Sequence, residues 1–248
     1  MRLAGKRALV TGSSRGIGAE IAKLFASEGA TVAVNYRKSR KEAESVLGSI
    51  TKNGGKAIAV GADVSDPQSV TSMFTDVGRR LGGLDILVNN AGVSDDVIWD
   101  ARIPEITLEM WKKVFAVDSF GTFLCTQAAV KLMKSGSVVN IASTPALSGD
   151  VDGLVYASAK GSVISMTKML AKSLAPRIRV NCMVFGSFET GWVEWLSKKQ
   201  RDSYVAAIPL GRFGTPREAA NVALFLADGE SSFITGQTLI VDGGERLD

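Results

Sequence analysis

The feature that most constrains the fold of this chain is the alternation of short apolar segments with segments of helical periodicity. Apolar segments typical of strands lie at residues 7–12, 31–36, 56–63, 85–92, 137–143, 178–186 and 237–244. Between them the pattern predicts helices, among them residues 16–28, residues 154–175 and a long helix around Trp111. Strands separated by helices form right-handed βαβ units, which give a parallel sheet with helices on both faces. We therefore predict one α/β domain over residues 1–248, with a Rossmann-like, doubly wound parallel sheet of about seven strands.

Three of the predicted helices begin with N-terminal signals. Residues 39–42 and 215–218 have the spacing of a capping box, in which a Ser or Thr and a Glu three positions later accept each other's backbone N–H groups. Asp66 followed by Pro67 predicts an N-cap and a proline in the first turn. These signals predict helix starts after the second, third and sixth strands.

The composition excludes several kinds of catalysis. The chain has no histidine, which rules out Ser-His-Asp and Cys-His nucleophiles and every His-ligated metal site. Its two cysteines, Cys125 and Cys182, lack metal-type spacing and are interpreted as buried apolar residues, so no metal site is predicted. A catalytic acid or base must therefore be Tyr, Lys, Asp, Glu or Cys.

Charge and hydropathy narrow the class of protein further. The net charge is +4, but the basic residues are spread along the chain and form no sharp stripe, so we predict no nucleic-acid binding. No apolar segment is long enough to span a bilayer, and the N-terminal residues lack the pattern of a signal peptide. We expect a cytoplasmic protein that does not bind membranes.

A glycine-rich loop joins the first predicted strand to the first predicted helix. The sequence TGSSRGIG (residues 11–18) contains Gly12, Gly16 and Gly18. Glycines let the backbone turn tightly and approach a pyrophosphate at the positive end of a helix. Although such a loop can be a plain turn, its position between strand and helix indicates a dinucleotide site.

The residues after the second strand bear on the choice of cofactor. An acidic side chain at this point would bind the ribose 2′-hydroxyl of NAD. This chain instead has Asn35, Tyr36 and Arg37, and Arg15 lies in the glycine loop. Because a guanidinium suits a phosphate dianion, we predict NADP; the alternative is a solvated basic face at a helix start.

Tyr156 and Lys160 form a candidate acid/base pair. They are four residues apart and so lie on one face of the predicted helix 154–175. A neighbouring ammonium lowers the pKa of a phenol, which makes the pair a plausible general acid/base without histidine. A Tyr–Lys pair at this spacing is usually structural, but Ser143 ends the fifth strand and could direct its hydroxyl into the same crevice.

Taken together, these residues resemble the short-chain dehydrogenase/reductase family over nearly the whole chain. The matching segments are TGSSRGIG, GADVSD, NNAG (residues 89–92), Ser143, YASAK and RVNCMVFG. Within the family, GTFLCTQAAVKLM and PLGRFGTPREAANVALFLAD are most similar to 3-oxoacyl-acyl-carrier-protein reductases. Related enzymes that reduce other ketones or oxidise sugars and alcohols share these segments.

The resemblance implies a role for each matching residue. Tyr156 would transfer the proton, Lys160 would bind the nicotinamide ribose and lower the pKa of the tyrosine, and Ser143 would hold the carbonyl. The family also implies a homotetramer, and the subgroup implies acyl carrier protein as a partner. The expected cofactor-binding residues are Gly12, Ser14, Arg15, Gly16, Ile17, Gly18, Asn35, Tyr36, Arg37, Asp63, Val64, Asn90, Ala91, Gly92, Tyr156, Lys160, Gly186 and Thr190.

Two positions depart from the family pattern. Phe185 precedes Gly186 where the family usually has proline, and we expect its ring to lie beside the nicotinamide pocket. Asp118 falls on the family's fourth catalytic position, which is usually asparagine, on the same helical stripe as Trp111. We expect this acid either to pair with Lys160 through water or to be partly protonated, and we expect Asp118→Asn to raise activity at neutral pH.

Fewer sequence features indicate where and what substrate would bind. By resemblance, residues 187–210 form a lid, where Trp192 and Trp195 either line an apolar pocket or serve packing or subunit contacts. Asp150 and Asp152 precede Tyr156 and suit a hydroxyl-bearing substrate. The leading prediction is 3-oxoacyl-thioester reduction. The alternatives are a sugar or polyol dehydrogenase and, from another class, a catalytically weak NADP-binding sensor or scaffold.

Overall fold

The computed structural model describes residues 1–246 and contains a seven-stranded parallel sheet with the order β3-β2-β1-β4-β5-β6-β7. The strands are β1 Arg7–Val10, β2 Thr31–Tyr36, β3 Lys56–Gly61, β4 Ile86–Asn89, β5 Gly136–Ser143, β6 Ile178–Phe185 and β7 Thr238–Val241. From β1 the chain builds outward through β2 and β3, and it then returns to β4 on the other side of β1. This reversal opens a crevice at the carboxyl ends of β1 and β4, where doubly wound sheets bind ligands.

Helices cover both faces of the sheet, which confirms the predicted fold class. They are α1 Gly16–Ser27, α2 Arg40–Lys52, α3 Pro67–Leu81, α4 Asp96–Asp100, α5 Leu108–Phe115, α6 Gly121–Ala129, α7 Pro145–Ser148, α8 Leu154–Leu174, α9 Lys198–Ala207 and α10 Pro216–Ala227. Within residues 1–246, no helix combines the length and apolar character needed to cross a membrane.

The alternation of side chains along the strands divides the core between the two faces. Val10 of β1 packs in a cluster with Phe25 of α1 and with residues of α2 and α10. Leu9, its neighbour along the strand, points the other way and packs in a cluster with Phe74 of α3 and Cys125 of α6. Both faces are thus fully buried around the central strand, which fixes the position of the loops that leave it.

The structure corrects some predicted boundaries. The strands predicted at 7–12, 56–63, 85–92 and 237–244 end two or three residues earlier, because the chain leaves the sheet there to form loops at its carboxyl edge. The capping box predicted at residues 39–42 is wrong. Ser39 has a ψ of 62°, which is not the extended conformation of an N-cap, and its side chain makes no capping hydrogen bond. The capping box at residues 215–218 and the Asp66 N-cap are confirmed.

The long helix predicted around Trp111 is present but irregular. Its backbone is helical from α5 through α6, and residues Ala116–Phe120 between them form a π-helical turn. A π turn adds one residue to a helical turn and is often found at functional sites. This turn contains Asp118, whose side chain is completely buried.

Candidate active site

The glycine-rich loop is held in a conformation that only glycine adopts easily. Gly12 and Gly16 have φ values of +61° and +57°, in the left-handed region. A Cβ at Gly12 would lie 2.9 Å from the backbone of Ala91. A Cβ at Gly18 would overlap the side-chain amide of Asn90 and lie 2.8 Å from the Gly12 carbonyl oxygen. The loop between β1 and α1 therefore packs directly on the loop that follows β4.

Hydrogen bonds from three strand ends fix this loop. The Thr11 hydroxyl accepts from the backbone N–H groups of Asn90 and Ala91, both at 3.0 Å. The Asn90 side chain donates to the carbonyl oxygens of Thr11 and Gly12, and the Asn35 side chain accepts from the Gly12 N–H at 3.0 Å. Asn35 and Asn90, which we predict to contact the cofactor, hold the loop with their side chains. Thr11 was missed in the sequence, although a hydroxyl directly before the first glycine was a usable signal.

The N-terminus of α1 has the properties of an anion site. Its N-cap is Arg15, which makes no side-chain cap hydrogen bond. The N–H groups of the first turn therefore have no side-chain acceptor, and the helix dipole makes this end positive. Ser14 lies half-buried and Arg15 exposed at the same edge. These residues fit the pyrophosphate of a dinucleotide.

The adenosine end of the crevice contains an acid next to one of the two arginines that favoured NADP. Arg37 is exposed after β2, and its guanidinium lies 3.7 Å from a carboxylate oxygen of Asp63, which follows β3. Burial raises the pKa of Asp63, but hydrogen bonds from Ser65 and the charge of Arg37 outweigh burial and hold it below its ordinary value. Asp63 is therefore ionised at neutral pH beside the arginine that was predicted to bind a phosphate. Val64, the next residue, is buried.

The structure brings together the three predicted catalytic residues. Tyr156 and Lys160 lie one turn apart on α8, and the Lys160 ammonium is 5.5 Å from the centre of the tyrosine ring. Ser143 ends β5, where its hydroxyl donates to the carbonyl oxygen of Phe185 at 3.3 Å. Ser143 also acts to lower the pKa of Tyr156. The arrangement can present an O–H donor and a second hydroxyl to one substrate oxygen.

Asp118 pairs with Lys160 directly, and not through water as we expected. One carboxylate oxygen lies 2.8 Å from the Lys160 ammonium, and the other accepts from the backbone N–H of Val93 at 2.9 Å. Gly92 permits this approach, because a Cβ there would lie 3.0 Å from the carboxylate. The pair is almost fully buried, with side-chain exposures of 5% for Lys160 and 0% for Asp118.

This ion pair changes the electrostatics expected for the site. Burial lowers the pKa of Lys160, but the charge of Asp118, its hydrogen bond with the ammonium and the nearby Tyr156 together outweigh burial and raise the pKa above its ordinary value. Burial also raises the pKa of Tyr156; Lys160 acts against this, while Asp118 raises it further. The result is a tyrosine whose pKa is raised, although the resemblance implies a lowered one.

On the substrate side, the structure places a residue that we did not predict beside Tyr156. The ring of Trp99, from α4, lies 5.5 Å from the ring of Tyr156 at an interplanar angle of 61°. It rests on Gly153, where a Cβ would lie 2.7 Å from the indole, and the Gly153 N–H donates to the Trp99 carbonyl. An ion pair between Arg102 and Asp152 joins the same two segments. No motif marked Trp99, because α4 is only five residues long and is too short to show a helical periodicity.

The segment predicted as a lid contains an aromatic cluster. The Trp192 ring packs on Tyr204 and Phe213 at centroid distances of 5.4 and 5.9 Å. The indole N–H donates to the Phe188 carbonyl. Trp192 therefore serves packing, whereas Trp195 is 56% exposed.

The structure also places three residues that end or follow β6. Phe185 is buried and packs on Phe188 at 4.9 Å in the core, so its ring does not lie beside the crevice as we expected. Thr190, which we predict to reach the carboxamide of the cofactor, has its methyl group 3.9 Å from the position of a Cβ on Gly16, at the glycine loop. Gly186 packs tightly against Asp242 and Glu245 near the C-terminus.

Comparisons with known proteins agree with this fold. Residues 12–245 match the family model described as enoyl-(acyl carrier protein) reductase. The chain is 41% identical to a 3-oxoacyl-acyl-carrier-protein reductase of Thermotoga maritima, over 98% of this chain and 99% of the relative. It is 40% identical to the reductase of the same name from Aquifex aeolicus, over 98% of both chains.

Solved structures of similar proteins share this fold over nearly the whole chain. A Serratia marcescens short-chain dehydrogenase/reductase, solved as a mutant, covers 100% of both chains with a TM-score of 0.93 and 34% identity. A gluconate 5-dehydrogenase of Burkholderia cenocepacia, in complex with NADP and tartrate, has a TM-score of 0.91 and 33% identity over 98% of this chain and 96% of that chain.

The fold and these matches define the protein as an oxidoreductase that acts on CH–OH groups or the corresponding ketones. The chain belongs to the short-chain dehydrogenase/reductase family.

Proposed function

We propose that this protein is an NADP-dependent carbonyl reductase, whose preferred substrates are 3-oxoacyl thioesters carried on acyl carrier protein. The observation that carries the proposal is the convergence of Ser143, Tyr156 and Lys160 on the crevice beside the glycine loop. The identity of 40–41% to two 3-oxoacyl-acyl-carrier-protein reductases supports this substrate class.

In this proposal the chain provides the proton, and the bound cofactor provides the hydride. The Tyr156 phenol would give its proton to the substrate carbonyl oxygen, so that the phenol O–H bond breaks as an O–H bond forms on the substrate. Ser143 donates a hydrogen bond to the same oxygen and holds the carbonyl in place. Lys160 binds the nicotinamide ribose, and the phenolate is afterwards reprotonated from solvent.

The cofactor would lie across the crevice with its pyrophosphate at the N-terminus of α1. Its adenine would lie near Asp63 and Val64. Gly12, Gly16 and Gly18 allow the close approach, and Arg15 and Arg37 would bind the 2′-phosphate. The choice of NADP is supported by the structurally similar gluconate 5-dehydrogenase, which was solved in complex with NADP. The ionised Asp63 beside Arg37 acts in the opposite direction, because its negative charge weakens the attraction of this arginine for a phosphate.

Cofactor choice can be tested by fluorescence titration of NADPH and NADH. We expect NADPH to bind at least about tenfold more tightly, since a charge-assisted hydrogen bond contributes about 1.5–3 kcal/mol. Arg37→Ala should remove most of this preference. The matched control is Arg79→Ala, because Arg79 is an exposed arginine that pairs with Asp76 on α3. This variant should leave the preference for NADPH over NADH unchanged. Equal dissociation constants for the two cofactors would overturn the assignment of NADP.

A second candidate activity is sugar or polyol dehydrogenation. It is favoured by the structural match to gluconate 5-dehydrogenase and by the acidic loop before Tyr156. In that loop Asp152 pairs with Arg102 and Asp150 is exposed. Carboxylates suit substrate hydroxyl groups better than they suit the phosphate of a carrier-protein prosthetic group.

The proposal also includes a homotetrameric assembly and a substrate lid. Phe120, Phe123 and Met169 are exposed apolar residues on the π turn, α6 and α8, and they support association of the family's homotetrameric kind. Residues 187–210 would close over the substrate.

The experiment that tests the function is a panel of ketones and alcohols assayed with both cofactors by absorbance at 340 nm. We expect acetoacetyl thioesters to give the highest kcat/KM with NADPH, and Ser143→Ala to lose most of that activity. The matched control is Ser158→Ala, whose hydroxyl only donates to the Leu154 carbonyl within α8. Higher kcat/KM for polyols would favour the dehydrogenase. Tight NADPH binding without turnover of any substrate would favour the sensor.

A further inference from the structure

The buried carboxylate of Asp118 is surrounded by hydrogen-bond donors only. One oxygen accepts from the Val93 N–H, and the other faces the Lys160 ammonium. An ionised carboxylate accepts at both oxygens, whereas an asparagine of the same shape must direct an NH₂ group toward one partner. With its oxygen on Val93, that NH₂ would face the ammonium. The site is therefore built for an aspartate, and the family's usual asparagine would disrupt it.

Lys160 is held by the same arrangement. Its ammonium lies 2.8 Å from Asp118 and donates to the Ile141 carbonyl at 3.3 Å. Three donors are available on an ammonium, so one is left for another partner. Cys182 is also close, but burial raises the pKa of its thiol to about 12 and it carries no charge at neutral pH. The lysine thus remains protonated while its charge is balanced by Asp118.

The groups that face Tyr156 come from four elements. Lys160 lies on α8, Asp118 on the π turn, Ser143 on β5 and Trp99 on α4. Of these only Lys160 and Asp118 are charged, and the two charges are opposite and 2.8 Å apart. A lone ammonium at this distance would stabilise the phenolate strongly in a buried site, whereas a balanced pair has a much smaller effect.

We propose that Asp118 is a positioning residue that keeps Tyr156 in its phenol form, so that the enzyme is poised for carbonyl reduction and is a poor alcohol dehydrogenase at neutral pH. The directional part rests on the proposed function. Reduction uses the phenol, which gives its proton to the substrate oxygen and becomes phenolate. Oxidation needs the phenolate as the base that takes the alcohol proton. Asp118 changes only the pH at which each direction is fast and leaves the reaction equilibrium untouched.

A titration of Tyr156 tests the inference without any substrate. Phenolate absorbs near 295 nm, and the difference between the wild type and Tyr156→Phe isolates this residue from Tyr36 and Tyr204. The wild-type midpoint should lie at or above that of a free tyrosine, about pH 10. A midpoint below pH 9 in the wild type would overturn the inference, and it would do so even if the Asp118 variant does not fold.

The second arm compares Asp118→Asn with Asp85→Asn. Asp118→Asn should lower the Tyr156 midpoint by about 1 pH unit or more, a tenfold increase in the phenolate fraction at neutral pH. Asp85 is a matched control, because the same substitution breaks its ion pair with Arg7 at the opposite edge of the sheet. Asp85→Asn should leave the midpoint unchanged. An unchanged midpoint in folded Asp118→Asn would overturn the inference.

The kinetic arm measures kcat/KM against pH in both directions. In Asp118→Asn, alcohol oxidation at pH 7 should rise about tenfold, and the alkaline limb of the reduction profile should move to lower pH. If both activities decrease and the pH profiles of reduction and oxidation keep their wild-type midpoints, Asp118 has a merely structural role and the proposal is overturned. Absence of turnover with every substrate would defeat the proposed function, while the titration would still decide the effect of Asp118 on Tyr156.

Discussion

The two halves of the crevice are built differently. On the cofactor side, glycines pack against backbone, and buried Thr11 and Asn35 hold the loop through hydrogen bonds together with half-buried Asn90. On the substrate side, the segments around Trp99 and Gly153 meet through an indole, a backbone hydrogen bond and an ion pair, and the 3₁₀ turn of residues 191–195 leaves Trp195 exposed. A cofactor of constant shape permits a rigid, fully hydrogen-bonded site. The substrate side is assembled from irregular, partly exposed segments, which tolerate change more easily.

The largest expected effect is at the point where the two halves meet. Tyr156→Phe should lower kcat by about 10²- to 10⁴-fold, because it removes the only O–H proposed to donate a proton. The dissociation constant for NADPH, measured by fluorescence, should stay within about threefold of the wild type, since the ring still packs on Trp99. Retention of more than a tenth of the wild-type kcat would contradict the assignment of Tyr156.

The next effect tests the rigidity of the cofactor side. Gly18→Ala would force a methyl group into the Asn90 amide and toward the Gly12 carbonyl. We expect a loss of about 1–3 kcal/mol in the free energy of unfolding, together with weaker NADPH binding.

A matched control for this change is available in α2. Gly48 is a helical glycine, and a methyl group on its Cα would have no atom within 4 Å apart from the adjoining residues and the nearby backbone of its own helix. Gly48→Ala should therefore stabilise the fold by about 0.5–1 kcal/mol. Equal unfolding midpoints for the two alanine variants in urea would show that the loop is not tightly packed.

The smallest effect is expected on the substrate side. Trp99→Ala should leave NADPH affinity and the stability of the sheet nearly unchanged. It should raise the ratio of kcat/KM for bulky over small ketones about tenfold, because the indole beside Tyr156 limits the space for the substrate. An unchanged ratio, with NADPH affinity intact, would remove Trp99 from the substrate wall.

The features that could be predicted from sequence are those that leave a local pattern in the chain. The alternating apolar segments predicted the correct fold class, because a sheet buried on both faces imposes that pattern on every strand. Tyr156 and Lys160 could be found because a helix relates residues four apart. The glycine loop could be located from its place between a strand and a helix.

Other features depend on contacts between distant segments. The direct pairing of Asp118 with Lys160 requires the Val93 N–H and the bare Cα of Gly92, and both lie in another loop. The π turn that carries Asp118 has no local sequence signal. Phe185 was expected at the crevice, but its contact with Phe188 turns it into the core. Ser39 has the residue type of an N-cap, yet its backbone conformation prevents capping.

The most direct test of carbonyl reduction at this site follows the hydride itself. NADPH deuterated at C4 of the nicotinamide is incubated with an acetoacetyl thioester and the protein, and the product is analysed by mass spectrometry and NMR. We expect one deuterium at the carbinol carbon of a 3-hydroxyacyl product, and no product above background with Tyr156→Phe. A 3-hydroxyacyl product without deuterium at that carbon, or equal product from the Tyr156→Phe variant, would contradict hydride transfer at this site.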